Sequence, residues 1–235
     1  MPILNEFEVR WIAYARKVLA QNCGCVCDRD EIAWPGYIGP NYAAGRVLIF
    51  GAIHEIDVLR MSGVYDVVPA VKDWFSNQAT NDFEDRAYLD RIFDAYKAAI
   101  PKWLRYVNKD GKEVRGVVWG HIETVVSRLG LDYSQIAFTN LAKCGIPSGS
   151  VDSRRTKKHE AATPAMELIR AIRPKYVIVA SDNSDVRRDV KFERDGNHFA
   201  FRQCANLTFK SGSQRRDEWL RDDVRAYRNL MMIDN

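Results

Sequence analysis

Two short apolar runs in this chain lead straight into side chains that can do chemistry. Val47–Phe50 continues into Gly51, Ala52, Ile53, His54 and Glu55, and Ile136–Thr139 continues into Asn140, with Lys143 and Cys144 just beyond. A carboxylate such as Glu55 serves as a general base or as an anion beside developing positive charge, and an imidazole such as His54 donates a proton or contacts a phosphate. Asn140 carries one acceptor and a two-proton donor, which together read the edge of a planar heterocycle in one orientation. Each residue also suits a plainer duty: His54 and Glu55 as caps of a following helix, Asn140 in an Asx-type turn.

Cys23, Cys25 and Cys27 alternate in the segment CGCVC, and Cys144 and Cys204 bring the total to five. The odd number, with an N-terminus (MPILNEFEVR) that lacks the basic-then-apolar layout of an export signal, argues against a disulfide framework. A zinc or iron–sulfur site is the sharp reading of thiolates spaced this closely, with free thiols as the alternative. A basic group follows the Gly/Ser-rich stretch GIPSGSVDS: Arg154, Arg155, Lys157 and Lys158 form either a solvated loop or a contact to a polyanion backbone.

The elements that must position these residues alternate in type. Residues 5–20 place Phe7, Trp11, Tyr14, Ala15, Val18 and Leu19 at helical spacing, and 22–45 read as an ordered loop. Val47–Phe50, Ile136–Thr139 and Tyr176–Ala180 are continuous apolar runs, the pattern of strands buried on both faces. Between them, Asn81 and Glu84 form a capping-box pair opening a helix that ends at Pro101, and Val114 to Leu129 mark another helix stopped by Gly130. Thr163 and Pro164 open a helix stopped by Pro174; Phe199–Cys204 and Leu207–Phe209 are weaker strands; a last helix carries Trp219, Leu220, Val224, Tyr227 and Leu230. Alternation of this kind implies a mostly parallel sheet covered on both faces, with ligands at the carboxyl ends of its strands. That rule selects residues 51–55, 139–143 and 181–185.

With 235 residues, 46% hydrophobic and 28% charged, the chain is sized for a single domain, 1–235: an N-terminal helix and Cys-containing segment over 1–45 and an α/β core over 46–235. No apolar run approaches the ~18–20 residues of a membrane span. A cytoplasmic protein that acts as a monomer away from membranes is the expectation. The net charge of +4 is unevenly spread, with 19 Lys/Arg against 13 Asp/Glu over residues 136–235 and 16 against 18 before them, which favours a polyanionic partner for the C-terminal part.

The order of VLIFGAIHE, AFTNLAKCGIP and ELIRAIRPKYVIVA resembles the uracil-DNA glycosylase superfamily, especially its iron–sulfur, thermophile-type branch, over roughly residues 46–230. The most specific part is Thr139 to Cys144 with Arg173-Pro174-Lys175. The resemblance implies a three-layer α/β/α fold with a central, mostly parallel four-stranded sheet. It also implies an enzyme that flips a nucleotide from DNA and hydrolyses its N-glycosidic bond to leave an abasic site. Asn140 then matches the base-reading asparagine, and Gly51 opens the catalytic loop, with Ala52 and Ile53 lining the base. Where the family places its water-activating residue and Pro-Gly, this chain has Ala52 to Glu55, so Glu55 or His54 would attend the water and sugar.

In place of the family's His-Pro-Ser stands Lys210-Ser211-Gly212-Ser213. Lys210 would support the leaving base, and Ser211, Ser213 and Arg215, with Arg154, Arg155 and Lys157, would hold phosphates. Cys144 matches a cluster ligand, while C-x-C-x-C replaces the branch's C-x-x-C and His159-Glu160 stands near the place of its last cysteine. The expectation is a monofunctional glycosylase needing no cofactor for its chemistry, with Cys23, Cys25, Cys27 and Cys144 as the metal-site set. The re-shaped loops suit a modified or damaged base, such as a hypermodified phage pyrimidine removed in defence. Two alternatives stay open: a catalytically silent binder of DNA or abasic sites, and a nucleotide-handling α/β enzyme unrelated to repair.

Overall fold

The first helix is closed at its start by a reciprocal cap. Asn5 Oδ1 accepts from the backbone N–H of Phe7 and Glu8, both at 3.0 Å, and Glu8 Oε2 accepts from Asn5 N–H at 2.8 Å. Helix α1 then runs Glu6–Ala20, burying Trp11, Ile12, Tyr14 and Ala15 at helical spacing. The structure is a computed structural model that describes residues 4–20, 36–51, 54–55, 82–107, 113–115, 117–140, 145–146, 162–179, 199–203 and 213–232.

The segment expected to be loop up to residue 45 contains two elements in its described part: strand β1 (Tyr37–Ile38) and a single helical turn, α2 (Tyr42–Gly45). Such short pieces have no periodicity to announce them; β1 exists because it pairs with another strand. Strand β2 (Val47–Gly51) follows, then β3 (His54–Glu55) and helix α3 (Asp82–Leu104). Helix α3 passes through Pro101 instead of ending there. Pro101 is exposed and sits in the last turn, where the carbonyl deprived of an N–H is solvated at small cost. The capping residue expected for this helix, Asn81, lies outside the described residues.

Next come β4 (Arg105–Val107) and β5 (Glu113–Arg115), an antiparallel pair in which Val114 faces Tyr106. Val114 is therefore a strand residue, and helix α4 begins only at Val117 and runs to Leu129. Gly130, at φ +76°, ends it in the left-handed region that glycine adopts without a Cβ clash. A single 3₁₀ turn with its own capping box leads into β6 (Ile136–Asn140), followed by β7 (Gly145–Ile146), helix α5 (Ala162–Ile172), β8 (Tyr176–Val179), β9 (Ala200–Gln203) and helix α6 (Ser213–Met232). Ala180 and the segment Leu207–Phe209 lie outside the described residues.

The chain is α/β. Four parallel strands in the order β6, β2, β8, β9 form its sheet, and β1 adds antiparallel to the outer edge of β6, so the sheet is open, mixed and mostly parallel. Every residue of β2, β6 and β8 is buried, which explains their unbroken apolar sequences. From β2 the chain steps outward to β6, then returns past β2 to β8, so the connections diverge between β2 and β8. In open α/β sheets such a divergence marks the crevice where ligands are expected, above the carboxyl ends of these two strands.

Two helices fix the direction of what surrounds this crevice. Arg10 on α1 reaches the carbonyl of Ala171 (3.5 Å), and Lys17 pairs with Glu167 (2.8 Å), so α1 climbs antiparallel to α5 toward the carboxyl-end rim. At the far end of the molecule, Tyr176 donates to Asp223 and Tyr227 donates to the Gly45 carbonyl, both at 2.6 Å. Residues 223–227 of α6 therefore lie beside the amino ends of β8 and β2. Buried ion pairs tie α1 to α3: fully buried Glu8 takes a two-pronged bond from Arg86, and Arg16 pairs with Asp85 at 3.1 Å.

Candidate functional site

Gly51 and Asn140 are the last residues of adjacent parallel strands and stand in register with each other. A Cβ placed on Gly51 would lie 2.0 Å from Asn140 Oδ1 and 3.2 Å from Phe138 Cζ. The amide of Asn140 thus rests directly against the Gly51 backbone, a contact that any side chain at position 51 would prevent. Asn140 is 5% exposed, and among the described residues its amide has no hydrogen-bond partner. An amide held there offers an acceptor and a two-proton donor to a planar polar ligand.

Beneath the amide on the same face of β6 lies an aromatic block. Phe138 is two residues before Asn140, and its ring meets Tyr37 (centroids 6.3 Å apart) and Tyr96 (6.0 Å), while Tyr37 also meets Phe93 at 5.7 Å. Tyr37 is buried, and burial holds its phenol well above its ordinary pKa, so the block stays uncharged. Rigid support of this kind limits how far Asn140 can move. Tyr37 was hidden from periodicity by its place in a two-residue strand; the local signal was an aromatic–β-branched pair flanked by Gly36 and Gly39.

His54 and Glu55 form β3, which pairs in parallel with β7: His54 is opposite Gly145 and Glu55 opposite Ile146. The chains leaving β2 and β6 are thereby zipped together again beyond the sheet, so the backbone of His54 and Glu55 runs beside the residues that directly follow Cys144. Ser213 and Arg215 stand in the first turn of α6. Ser213 precedes Asp223 by ten residues, about 15 Å of helix.

Ala52, Ile53, Arg154, Arg155, Lys157, Lys210 and Ser211 lie outside the described residues, as do Cys23, Cys25, Cys27 and Cys144. Among the described residues no group of three or more His, Cys, Asp or Glu is arranged to hold a metal ion, and no helix is long and apolar enough to cross a membrane. The upward course of α1 delivers the chain toward the carboxyl-end rim three residues before Cys23, and β7 begins directly after Cys144. Comparison of the sequence with protein-family models and with curated proteins finds no match.

Proposed function

We propose that the protein is a DNA glycosylase of the uracil-DNA glycosylase type. In this reading a modified, damaged or deaminated base is turned out of DNA and its N-glycosidic bond is hydrolysed to leave an abasic site. The observation that carries it is the nearly buried Asn140, whose amide is pressed against Gly51 at the carboxyl ends of two adjacent parallel strands. That amide accepts from and donates to the edge of the flipped base, with Gly51, Ala52 and Ile53 as the residues assigned to the base.

The transition state is a sugar oxocarbenium ion parting from a base anion. Glu55 or His54 attends the sugar and takes the proton from water. Lys210 meets the negative charge gathering on the base oxygen. Arg154, Arg155, Lys157, Ser211, Ser213 and Arg215 hold backbone phosphates around this rim. Hydrolysis of this kind uses water and side chains alone. Cys23, Cys25, Cys27 and Cys144 form a separate zinc or iron–sulfur site, which elemental analysis of the purified protein tests.

Right-handed crossovers put α3 and α4 on one face of the sheet and α5 on the other, giving the three-layer α/β/α arrangement. The substrate fitting a catalytic loop without the usual acid or Pro-Gly is a base other than plain uracil, a hypermodified phage pyrimidine being one such. The test is incubation with oligonucleotides bearing a panel of bases, then alkali. Strand breaks that disappear in Asn140→Ala support the proposal. Salt-sensitive binding without breaks identifies a silent DNA binder, and the absence of both points to an α/β enzyme unrelated to DNA.

A further inference from the structure

Helix α6 carries an exposed face that the candidate site does not use. Arg221, Arg225, Arg228 and Met232 are all exposed, Met232 with 74% of its surface open. Steps of four, three and four residues align them in one stripe, while Asp223 and Tyr227 are buried. Like charges at this spacing repel one another on a helix. Among the described residues none of the three arginines has a carboxylate within ion-pair distance, although Asp222 lies one turn from Arg225. Nor does the helix dipole account for them, since its effect is confined to the last turn and Arg221 and Arg225 lie well before it.

The position of α6 narrows what such a stripe can hold. Asp223 and Tyr227 anchor this part of the helix beside the amino ends of β8 and β2, at the other end of the sheet from Gly51 and Asn140, and Arg221 to Arg228 covers about 10 Å of it. A straight duplex lying over the carboxyl-end rim does not reach this face. A single strand leaving the rim can follow the helix, with its phosphates on the arginines. Met232 then offers apolar, polarizable surface to an unstacked base, which a duplex does not present.

We propose that Arg221, Arg225, Arg228 and Met232 form a docking stripe for a single-stranded nucleic-acid segment that runs off the candidate site. The proposal rests on reading that site as a DNA glycosylase. It makes single-stranded flanks, or strands opened from a duplex, the preferred context of the substrate.

The test is fluorescence anisotropy on the full chain, with a labelled single-stranded oligonucleotide and a blunt duplex of the same sequence, across a salt series. The proteins are the wild type, the triple variant Arg221→Gln/Arg225→Gln/Arg228→Gln, and Arg154→Gln/Arg155→Gln as a control at the rim. Three lost phosphate contacts reduce the salt slope for single strands by about 2 and weaken binding about a hundredfold at ~0.1 M salt. Duplex affinity and thermal midpoint stay unchanged. Unaltered single-strand binding in the triple variant, while the rim control weakens, overturns the stripe and leaves the glycosylase reading standing. Equal losses on duplex and single strand overturn the single-strand assignment, and tighter binding of poly-aspartate than of DNA overturns the nucleic-acid partner. A wild type that binds neither oligonucleotide removes the glycosylase reading, and the stripe with it.

Discussion

Replacing Gly51 by Ala adds one methyl group at the point where the structure leaves no space. The new Cβ would stand 2.0 Å from Asn140 Oδ1, against an ordinary carbon–oxygen contact of about 3.4 Å, so the amide must move by more than 1 Å or rotate away. Gly51 is not among the glycines with positive φ, and the nearest obstructing atom belongs to a side chain, so the fold can absorb the change. Overpacking of this kind costs about 1–3 kcal/mol. A displacement of 1 Å in a positioning group costs on the order of 10²-fold in rate. Single-turnover base release should therefore fall about a hundredfold in Gly51→Ala, with a cooperative melting transition preserved. If glycine acts only by seating the amide, adding Gly51→Ala to Asn140→Ala costs nothing further, and the double-mutant cycle shows full coupling. Undiminished release in Gly51→Ala, or additive losses in the cycle, would refute the idea that this glycine exists to seat the asparagine.

Other consequences concern the frame around the site. Glu8→Ala strips Arg86 of its buried partner and should cost about 3–5 kcal/mol, a drop in Tm of about 10 °C, whereas Glu8→Leu with Arg86→Met should recover most of it; equal melting of all three proteins would count against the clamp. Arg173 holds φ +43° with an exposed side chain, so Arg173→Gly should stabilise the protein by about 1 kcal/mol in urea unfolding, and a loss would mean the guanidinium carries a contact worth more than the backbone strain. Burial raises the pKa of Tyr14, Tyr37 and Tyr42 above the unfolded value of 10.0. These phenols stay protonated in the folded chain while the unfolded chain releases protons, so stability present below pH 10 is lost as pH rises. Each contributes a slope of about 1.4 kcal/mol per pH unit. Denaturant titrations from pH 9 to 11.5 check this, and a flat profile would contradict the burial of the three rings.

The parts of the fold that could be read from sequence are those whose signal is local and strong. Val47–Phe50, Ile136–Thr139 and Tyr176–Val179 are apolar without interruption because both of their faces are covered, and the rule that ligands gather at carboxyl strand ends selects the segments that begin at Gly51 and contain Asn140. Elements created by a distant partner were not legible. β1 exists through Tyr37 and Ile38 meeting β6, and the β3–β7 ladder joins residues 54–55 to 145–146 across most of a crossover unit. Val114 carried the spacing of the following helix yet pairs with Tyr106, since a hairpin partner outweighs a helical period at a boundary. Within the site, residue types disclosed what Asn140 can read. Only the packing disclosed why a glycine must stand beside it.

The central claim is that Asn140 holds a base whose glycosidic bond the protein hydrolyses. Mass spectrometry of oligonucleotides carrying normal, deaminated and modified bases, incubated with the wild type and with Asn140→Ala, tests it most directly. The account predicts free base and an abasic oligonucleotide from at least one member of the panel, with release reduced about 10²–10³-fold by the substitution. Intact oligonucleotides throughout, or release that the substitution leaves unchanged, would contradict it.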